Sequence, residues 1–160
     1  MSGSISASAV VEAAPEKVWA LVADVTRMGE WSPECAECTW VDGATGPEVG
    51  ARFRGRNKRG PLARWSTTCT VTACEPGRSF AFSVGNPADP DTQWRYSFVP
   101  ATGGTMVTET CEIVRRGNVA YRVVTALAVG VRDREADLQR NIERTLQRLQ
   151  VAGRAGALAD

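Results

Sequence analysis

The stretch Ala14-Pro15-Glu16-Lys17-Val18-Trp19 decides the fold, because it begins a helix between one short strand and a long series of others. The preceding residues, Ser4 to Glu12, alternate apolar and polar side chains and predict a strand. Pro15 suits the first helical position, and Glu16 suits the positive end of the helix dipole. A second short helix is predicted from Asp24 to Gly29.

The rest of the chain predicts six consecutive strands followed by one long helix. Short turns join these strands, which favours an antiparallel meander over strand-helix-strand units. The predicted strands are Glu37–Val41, Gly50–Asn57, Arg64–Cys74, Ser79–Val84, Gln93–Val99 and Thr105–Arg115, with a Pro/Asp loop over Asn86–Asp91.

The last helix is predicted from after Gly117 to about Gln150. Its apolar residues recur at helical spacing and predict one buried stripe: Leu127, Val131, Leu138, Ile142, Leu146 and Leu149. Six strands in series curl, and the long helix is the natural cover for their concave face. The pattern therefore predicts an α+β fold, in which a curved antiparallel sheet wraps around a C-terminal helix and encloses a pocket.

Length and composition exclude several classes of protein. The 160 residues predict a single domain over residues 1–152, with a flexible tail over 153–160. The chain has no histidine, which excludes Ser-His and Cys-His nucleophile pairs and histidine-ligated metals. No stretch approaches 18 apolar residues and the first residues do not resemble a signal peptide, so we expect a cytoplasmic protein without integral membrane association.

Five cysteines make an odd number, and we expect them to be reduced thiols. Cys35 and Cys38 are spaced as in some zinc and redox motifs. A structural zinc site needs four ligands, and redox motifs of this spacing open a helix in a strand-helix-strand unit. We therefore interpret the two as incidental thiols at a strand start, and expect no metal and no cofactor.

Aromatic residues alternate along several strands and would line the concave face together. The candidate ligand-binding residues are Trp31, Phe53, Asn57, Trp65, Phe80, Phe82, Trp94, Tyr96 and Phe98. The alternative is that the aromatic side chains simply fill the core against the last helix. Trp31, after the second short helix, is predicted either at the pocket mouth or as a structural contact. As a set, apolar walls with a few polar groups are typical of a ligand site.

Glu109 is the main candidate for an acid/base role. It shares its strand phase with Val107 and Cys111, which directs it toward the apolar concave face. A carboxylate in such a place is costly unless it is paired or protonated. The alternatives are a buried ion pair with Arg95 or with an arginine of the last helix, or exposure through a phase slip.

A basic patch lies on the predicted strand Gly50–Asn57 and the turn that follows it, but it does not indicate nucleic-acid binding. Arg52, Arg54 and Arg56 alternate opposite Phe53, and Lys58 and Arg59 follow them. No aromatic residues interleave on that face, so we interpret the patch as a solvated outer surface.

Six short motifs resemble the SRPBCC superfamily, also called the START or Bet v 1-like helix-grip fold, and within it the bacterial polyketide cyclase/dehydrase and lipid-transport branch. They occur in the order of that family across nearly the whole chain: Ala14 to Trp19, Met28 to Pro33, Val49 to Phe53, Glu75 to Arg78, Trp94 to Phe98, and Gly103 to Glu109. The resemblance implies the helix-grip fold. It does not choose an activity, because the superfamily holds carriers, cyclases, hydrolases and other proteins.

Two functions follow as expectations. The first is binding of a small hydrophobic molecule, polyketide-, lipid- or isoprenoid-like, in a cavity between the sheet and the last helix. The second is a polyketide cyclase or aromatase that uses the same cavity, with Glu109 and Tyr96 as catalytic proton-transfer groups. The expected partner is the small molecule alone, with no nucleic acid, and the chain is expected to be a monomer or a homodimer.

Overall fold

The computed structural model describes residues 3–114 and 133–156. Seven strands form one antiparallel sheet in the order β1-β7-β6-β5-β4-β3-β2. The strands are β1 (Gly3–Val11), β2 (Cys35–Val41), β3 (Arg52–Arg59), β4 (Ala63–Glu75), β5 (Ser79–Asn86), β6 (Asp89–Ala101) and β7 (Gly104–Ile113). The helices are α1 (Pro15–Ala23), α2 (Met28–Trp31) and α3 (Arg134–Arg154), and a 3-10 turn at Val25–Arg27 precedes α2.

This architecture confirms the predicted helix-grip fold, in which consecutive strands from β2 to β7 pair as a meander and β1 closes the far edge against β7. The predicted second helix divides into the 3-10 turn and α2. The predicted loop over Asn86–Asp91 is instead a tight hairpin, because β5 continues to Asn86, which pairs with Asp89.

Helix α3 lies over β1 and, to a smaller extent, over β7. Leu138, Ile142, Leu146 and Leu149 of the predicted stripe are all buried. Asp133 caps the helix, since its side chain accepts a hydrogen bond from the Ala136 amide. The predicted residues of this helix before position 133, including Leu127 and Val131, lie outside the described residues. Gly153 and Arg154, predicted in the tail, belong to the last turn of α3, and residues 157–160 of that tail are also outside the described part.

Alternation along the strands gives the sheet one apolar face toward α3. On the opposite face Arg52, Arg54 and Arg56 of β3 are exposed, as predicted. Helix α1 closes the other end of the sheet, where the Trp19 indole donates a 2.8 Å hydrogen bond to the Ser79 carbonyl. The concave face is therefore covered by helices and is the place to look for a site.

Replacing Ile142 with Ala tests this packing. Ile142 is fully buried between α3 and the sheet, so we expect its truncation to lower the free energy of unfolding by about 2–5 kcal/mol. Urea denaturation measures this. Val151→Ala is the matched control on the same helix, because Val151 is 62% exposed, and it should change stability by less than about 0.5 kcal/mol. Equal effects of the two substitutions would contradict the packing.

Candidate functional site

An aromatic row crosses the concave face from β2 to β6. Trp40 meets Phe53 edge to face with ring centroids 5.8 Å apart, and Phe53 meets Phe82 in the same way at 5.2 Å. Phe82 then stacks on Trp94 at 6.4 Å. Trp40 is the member of this row that was not among the predicted site residues, although its regular alternation with Thr39 and Val41, in phase with Cys38, would have placed it inward.

The predicted site residues separate into a buried floor and a half-buried end. The floor consists of side chains that are at most 6% exposed: Phe53, Phe80, Phe82, Tyr96 and Phe98. Asn57, Trp65 and Trp94 are half-buried and lie toward the end of the sheet where α3 begins. The floor residues thus form the buried centre of the concave face, and the half-buried side chains lie toward one end of it.

Glu109 and Tyr96 form a hydrogen-bonded pair within the floor. They are register partners on β7 and β6, and the Tyr96 hydroxyl donates to Glu109 Oε1 at 2.7 Å. Glu109 is only 3% exposed, and its second oxygen, Oε2, has no hydrogen-bond partner among the described residues. The partner is therefore Tyr96 and not Arg95, which the sequence left as an alternative; Arg95 is exposed on the convex face.

Burial controls the protonation of this pair. Loss of solvent raises the pKa of Glu109 to about 8, although the hydrogen bond from Tyr96 acts in the opposite direction. Burial, and next the nearby Glu109 carboxyl, raise the pKa of Tyr96 well above its usual value. At neutral pH the carboxyl is therefore mainly protonated, and the phenol is neutral.

This arrangement places a hydrogen-bond donor among apolar side chains. Because Tyr96 donates to Oε1, the Glu109 proton sits on the unpartnered Oε2. Such a proton can be donated to a carbonyl or hydroxyl oxygen of a bound molecule. A carboxyl with a pKa near the working pH can also exchange its proton with a reacting group, which is the property of a general acid or base. Trp94 is the diagonal neighbour of Glu109 on the same face, so the half-buried end is next to the pair.

An ionic network lies at the same end of the sheet. Asp137, on the first turns of α3 and 3% exposed, receives hydrogen bonds from Arg59 and, at 3.0 Å, from Arg134. Glu34 binds the same two arginines, at 3.1 Å and 2.6 Å. Burial alone would raise the pKa of Asp137, but the hydrogen bond and charge of Arg59, with further arginine charges, lower it. Arg59 therefore turns inward, a correction to its prediction in the basic patch.

The described part of the chain has open surface pockets, of which two lie beside α3. The larger is a groove of about 490 Å³ between α2 and the second half of α3, and Trp31 lines it together with Arg144, Arg148 and Val151. The Trp31 carbonyl accepts a 3.3 Å hydrogen bond from Arg148, and the Arg27 guanidinium lies 5.6 Å from the indole ring. Trp31 is thus separate from the floor around Glu109.

The second pocket, of about 310 Å³, lies between the β3–β4 hairpin and α3. Its walls are mainly basic and include Lys58, Arg59, Arg64 and Arg144. It adjoins the ionic network and lies at the same end of the sheet as Asn57. Within residues 3–114 and 133–156, no group of three or more Cys, Asp or Glu side chains is arranged to hold a metal ion.

The comparisons with known proteins agree with this geometry. A family model described as polyketide cyclase/dehydrase and lipid transport matches residues 2–152. The chain belongs to this family. It is 34% identical to a solved Polyketide_cyc-like protein from Corynebacterium glutamicum, with a TM-score of 0.65, and the match covers 99% of this chain and 95% of that one.

More distant solved structures share the fold of this family member. The di-domain ARO/CYC StfQ from the steffimycin biosynthetic pathway matches with a TM-score of 0.74 at 13% identity, over 98% of this chain and 52% of that one. Ara h 8.0201 matches with a TM-score of 0.67 at 12% identity, over 97% and 99% of the two chains. No curated protein matches significantly. None of the helices in the described part of the chain is both long and apolar enough to cross a membrane.

The raised pKa of Glu109 predicts a pH-dependent stability. Below pH 4.5 the Glu109 carboxyl is protonated in both the folded and the unfolded state. Between pH 4.5 and about 8 it is ionised in the unfolded chain and protonated in the folded protein. The folded state then binds more protons, so the free energy of unfolding falls as pH rises through this window. By pH 7 this loss is on the order of 3 kcal/mol.

Glu109→Gln removes the ionisable carboxyl. It should therefore remove the part of the decrease in the free energy of unfolding with pH that Glu109 causes. Compared with the wild type, the variant should gain stability steadily as pH rises from 4.5 to about 8, as measured by urea denaturation at several pH values. Glu112→Gln, on the exposed face of the same strand, is the control. A stability difference between Glu109→Gln and wild type that is constant with pH would show that Glu109 is not protonated in the folded protein.

Proposed function

We propose that this protein binds a small, mainly apolar molecule at the half-buried end of its concave face, and that Glu109 anchors a carbonyl or hydroxyl oxygen of that molecule. The proposal rests on the unpartnered Oε2 of Glu109 in an apolar floor. A buried polar group without a partner costs about 1–3 kcal/mol, and a ligand oxygen would offset that cost.

Apolar burial would supply most of the affinity. Transfer of apolar surface from water contributes about 25 cal/mol per Å² before the costs of ordering are subtracted. Trp65 and Trp94 are half-buried and offer aromatic surface to a ligand. Polyketide-, lipid- and isoprenoid-like molecules combine such a body with a few oxygens. The Glu109 anchor favours those that carry a carbonyl oxygen near an apolar ring or chain.

A ketone and its parent hydrocarbon have nearly the same size. Comparing their affinities therefore separates the contribution of the Glu109 hydrogen bond from that of apolar burial. We expect fluorenone and fluorene to bind and to quench tryptophan emission, because Trp94 lies beside Glu109. Glu109→Leu should weaken fluorenone binding about tenfold, which is the loss of one hydrogen bond of about 1.4 kcal/mol. The same substitution should change fluorene affinity by less than about twofold, because burial is retained. Fluorescence titration measures both.

Two further results decide this proposal. The affinity for fluorenone should fall as pH rises through about 8, because an ionised Glu109 no longer donates a proton. Glu112→Leu, on the outer face of β7, should leave both ligands unaffected. If neither compound binds, the ligand site is wrong; if both bind and Glu109→Leu weakens them equally, only the anchor is wrong.

The second candidate function is a polyketide cyclase that uses the same site. The family match and the ARO/CYC neighbours favour it, and so does the pKa of Glu109 near 8. In an aldol closure the enol of one 1,3-diketone unit of a poly-β-ketone chain would attack a carbonyl carbon of the same chain. The protonated Glu109 would donate its proton to that carbonyl oxygen as the carbon–carbon bond forms, and the resulting carboxylate would take the proton that the enol oxygen releases. Tyr96, held neutral by burial, would orient the carboxyl through its 2.7 Å hydrogen bond.

Glu109→Gln distinguishes a cyclase from a carrier. Glutamine keeps a neutral side chain that donates a hydrogen bond, so fluorenone affinity should stay within about threefold of the wild type. It cannot exchange a proton, so the turnover of a poly-β-ketone thioester should fall by about 100-fold or more. Product absorbance measures the rate. Turnover at the wild-type rate would exclude Glu109 as the catalytic group.

A further inference from the structure

Two buried thiols lie in contact on the edge strand β2. The Sγ atoms of Cys35 and Cys38 are 3.2 Å apart, and the two residues are 5% and 3% exposed. Neither takes part in the site around Glu109. The contact is unusual for a strand, because residues three apart normally point to opposite faces of a sheet.

A β-bulge produces this contact. Cys35 pairs with Asn57 of β3, whereas Glu37 pairs with Arg56, so Ala36 is an extra residue in the strand. The extra residue resets the alternation and turns both thiols toward the concave face. Gly55, the register partner of Cys38, lies beside the pair: a Cβ atom there would be in ordinary contact with the Cys38 sulfur, 3.5 Å away.

The two thiols differ in acidity. A hydrogen bond from Cys38 lowers the pKa of Cys35, although burial acts against this. The same hydrogen bond, together with burial, raises the pKa of Cys38. In contrast, burial raises the pKa of Cys69 and of Cys111 to about 12. Of the two thiols, Cys35 is therefore the one that ionises more readily, with Cys38 as its hydrogen-bond donor, which is the division of roles in a reactive dithiol.

We propose that Cys35 and Cys38 form a redox-active dithiol that exchanges with small-molecule disulfides to give a disulfide within β2. The Cys35 thiolate attacks one sulfur of the disulfide RSSR, which yields a mixed disulfide and releases RS⁻. Cys38 then gives its proton to the released RS⁻, and its sulfur attacks Cys35 Sγ and releases the second RS⁻. The protein loses two electrons and two protons, and RSSR is reduced to two RSH.

Access to the buried pair comes from its place at the sheet edge. Among the described strands, β2 is the last of the sheet and pairs with β3 alone. Cys35 is its first residue, and its amide donates a long hydrogen bond, 3.4 Å, to the Ser32 hydroxyl. Edge-strand ends open at lower cost than central strands, so an oxidant reaches Cys35 without unfolding of the core.

Oxidation at this point would affect α2. Met28 Sδ lies 3.9 Å from Cys38 Sγ, and a Cβ atom on Gly29 would lie 2.9 Å from the carbonyl oxygen of Ala36. Helix α2 therefore packs directly on the bulge. A disulfide that fixes the bulge should also hold α2, which carries Trp31 into the groove against α3.

Oxidised glutathione tests the proposal on the native, full-length chain. After oxidation, acid quenching and denaturation, we expect the wild type to lose about 2 Da, the mass of two hydrogens, and to retain three of its five reactive thiols. Tryptic digestion after alkylation should locate the disulfide in the peptide Met28–Arg52, which contains Cys35 and Cys38 as its two cysteines. Amide exchange in α2 should slow in the oxidised protein.

Single substitutions provide the controls. Cys69→Ser removes another buried thiol and should still lose about 2 Da. Cys38→Ser should instead stop at a glutathione adduct on Cys35, because the resolving thiol is missing. The dithiol proposal is overturned if the wild type keeps five thiols in excess oxidised glutathione, or if Cys38→Ser also loses 2 Da. Unchanged amide exchange in α2 would overturn its coupling to the disulfide.

Discussion

Burial of the α3 stripe against the concave face is the interaction on which the rest of the structure depends. A sheet with one apolar face is not stable uncovered in water. Leu138, Ile142, Leu146 and Leu149 of α3 are buried, and α3 packs mainly on β1 and less on β7, while α1 contacts β5, β6 and β7. The side chains of the floor, such as Phe53 and Phe80, are buried in the same core. The low dielectric that raises the pKa of Glu109 is a consequence of the same burial.

The start of α3 is held by ion pairs, whereas its middle is held by apolar packing. Asp137 is almost completely buried among arginines, and Glu34 shares two of them, so the first turn of the helix is tied to the end of β3 and to the loop before β2. Charge pairs of this kind contribute little net stability over apolar packing, but removing one partner leaves an uncompensated charge. The network therefore serves to set the position of the helix at the end of the sheet where the proposed ligand space lies.

Glu109 is the clearest departure from a core built for stability alone. A leucine at this place would pack without the cost of a buried carboxyl, and the hydrogen bond from Tyr96 satisfies only one of its two oxygens. Departures of this kind concentrate at functional sites. The fold alone does not assign the function, since Ara h 8.0201 and the two-domain ARO/CYC protein share it at low identity. The polar content of the concave face is what distinguishes a carrier from an enzyme here.

The sequence by itself determined the order of the elements, the family and the buried stripe of α3. These follow from local chemistry: Pro15 favours the first position of a helix, and the spacing of Leu138, Ile142 and Leu146 defines one helix face. The phase of β7 likewise placed Glu109 inward beside Val107. Only the tertiary structure decided what these residues meet. The pairing of Tyr96 with Glu109 depends on strand register, and the contact of Cys35 with Cys38 depends on one extra residue in β2; alternation along a single strand carries no information about either. Arg59 shares the phase of Phe53 on β3, so its inward direction was contained in the sequence, and only its partner, Asp137 of α3, depends on how the helix packs.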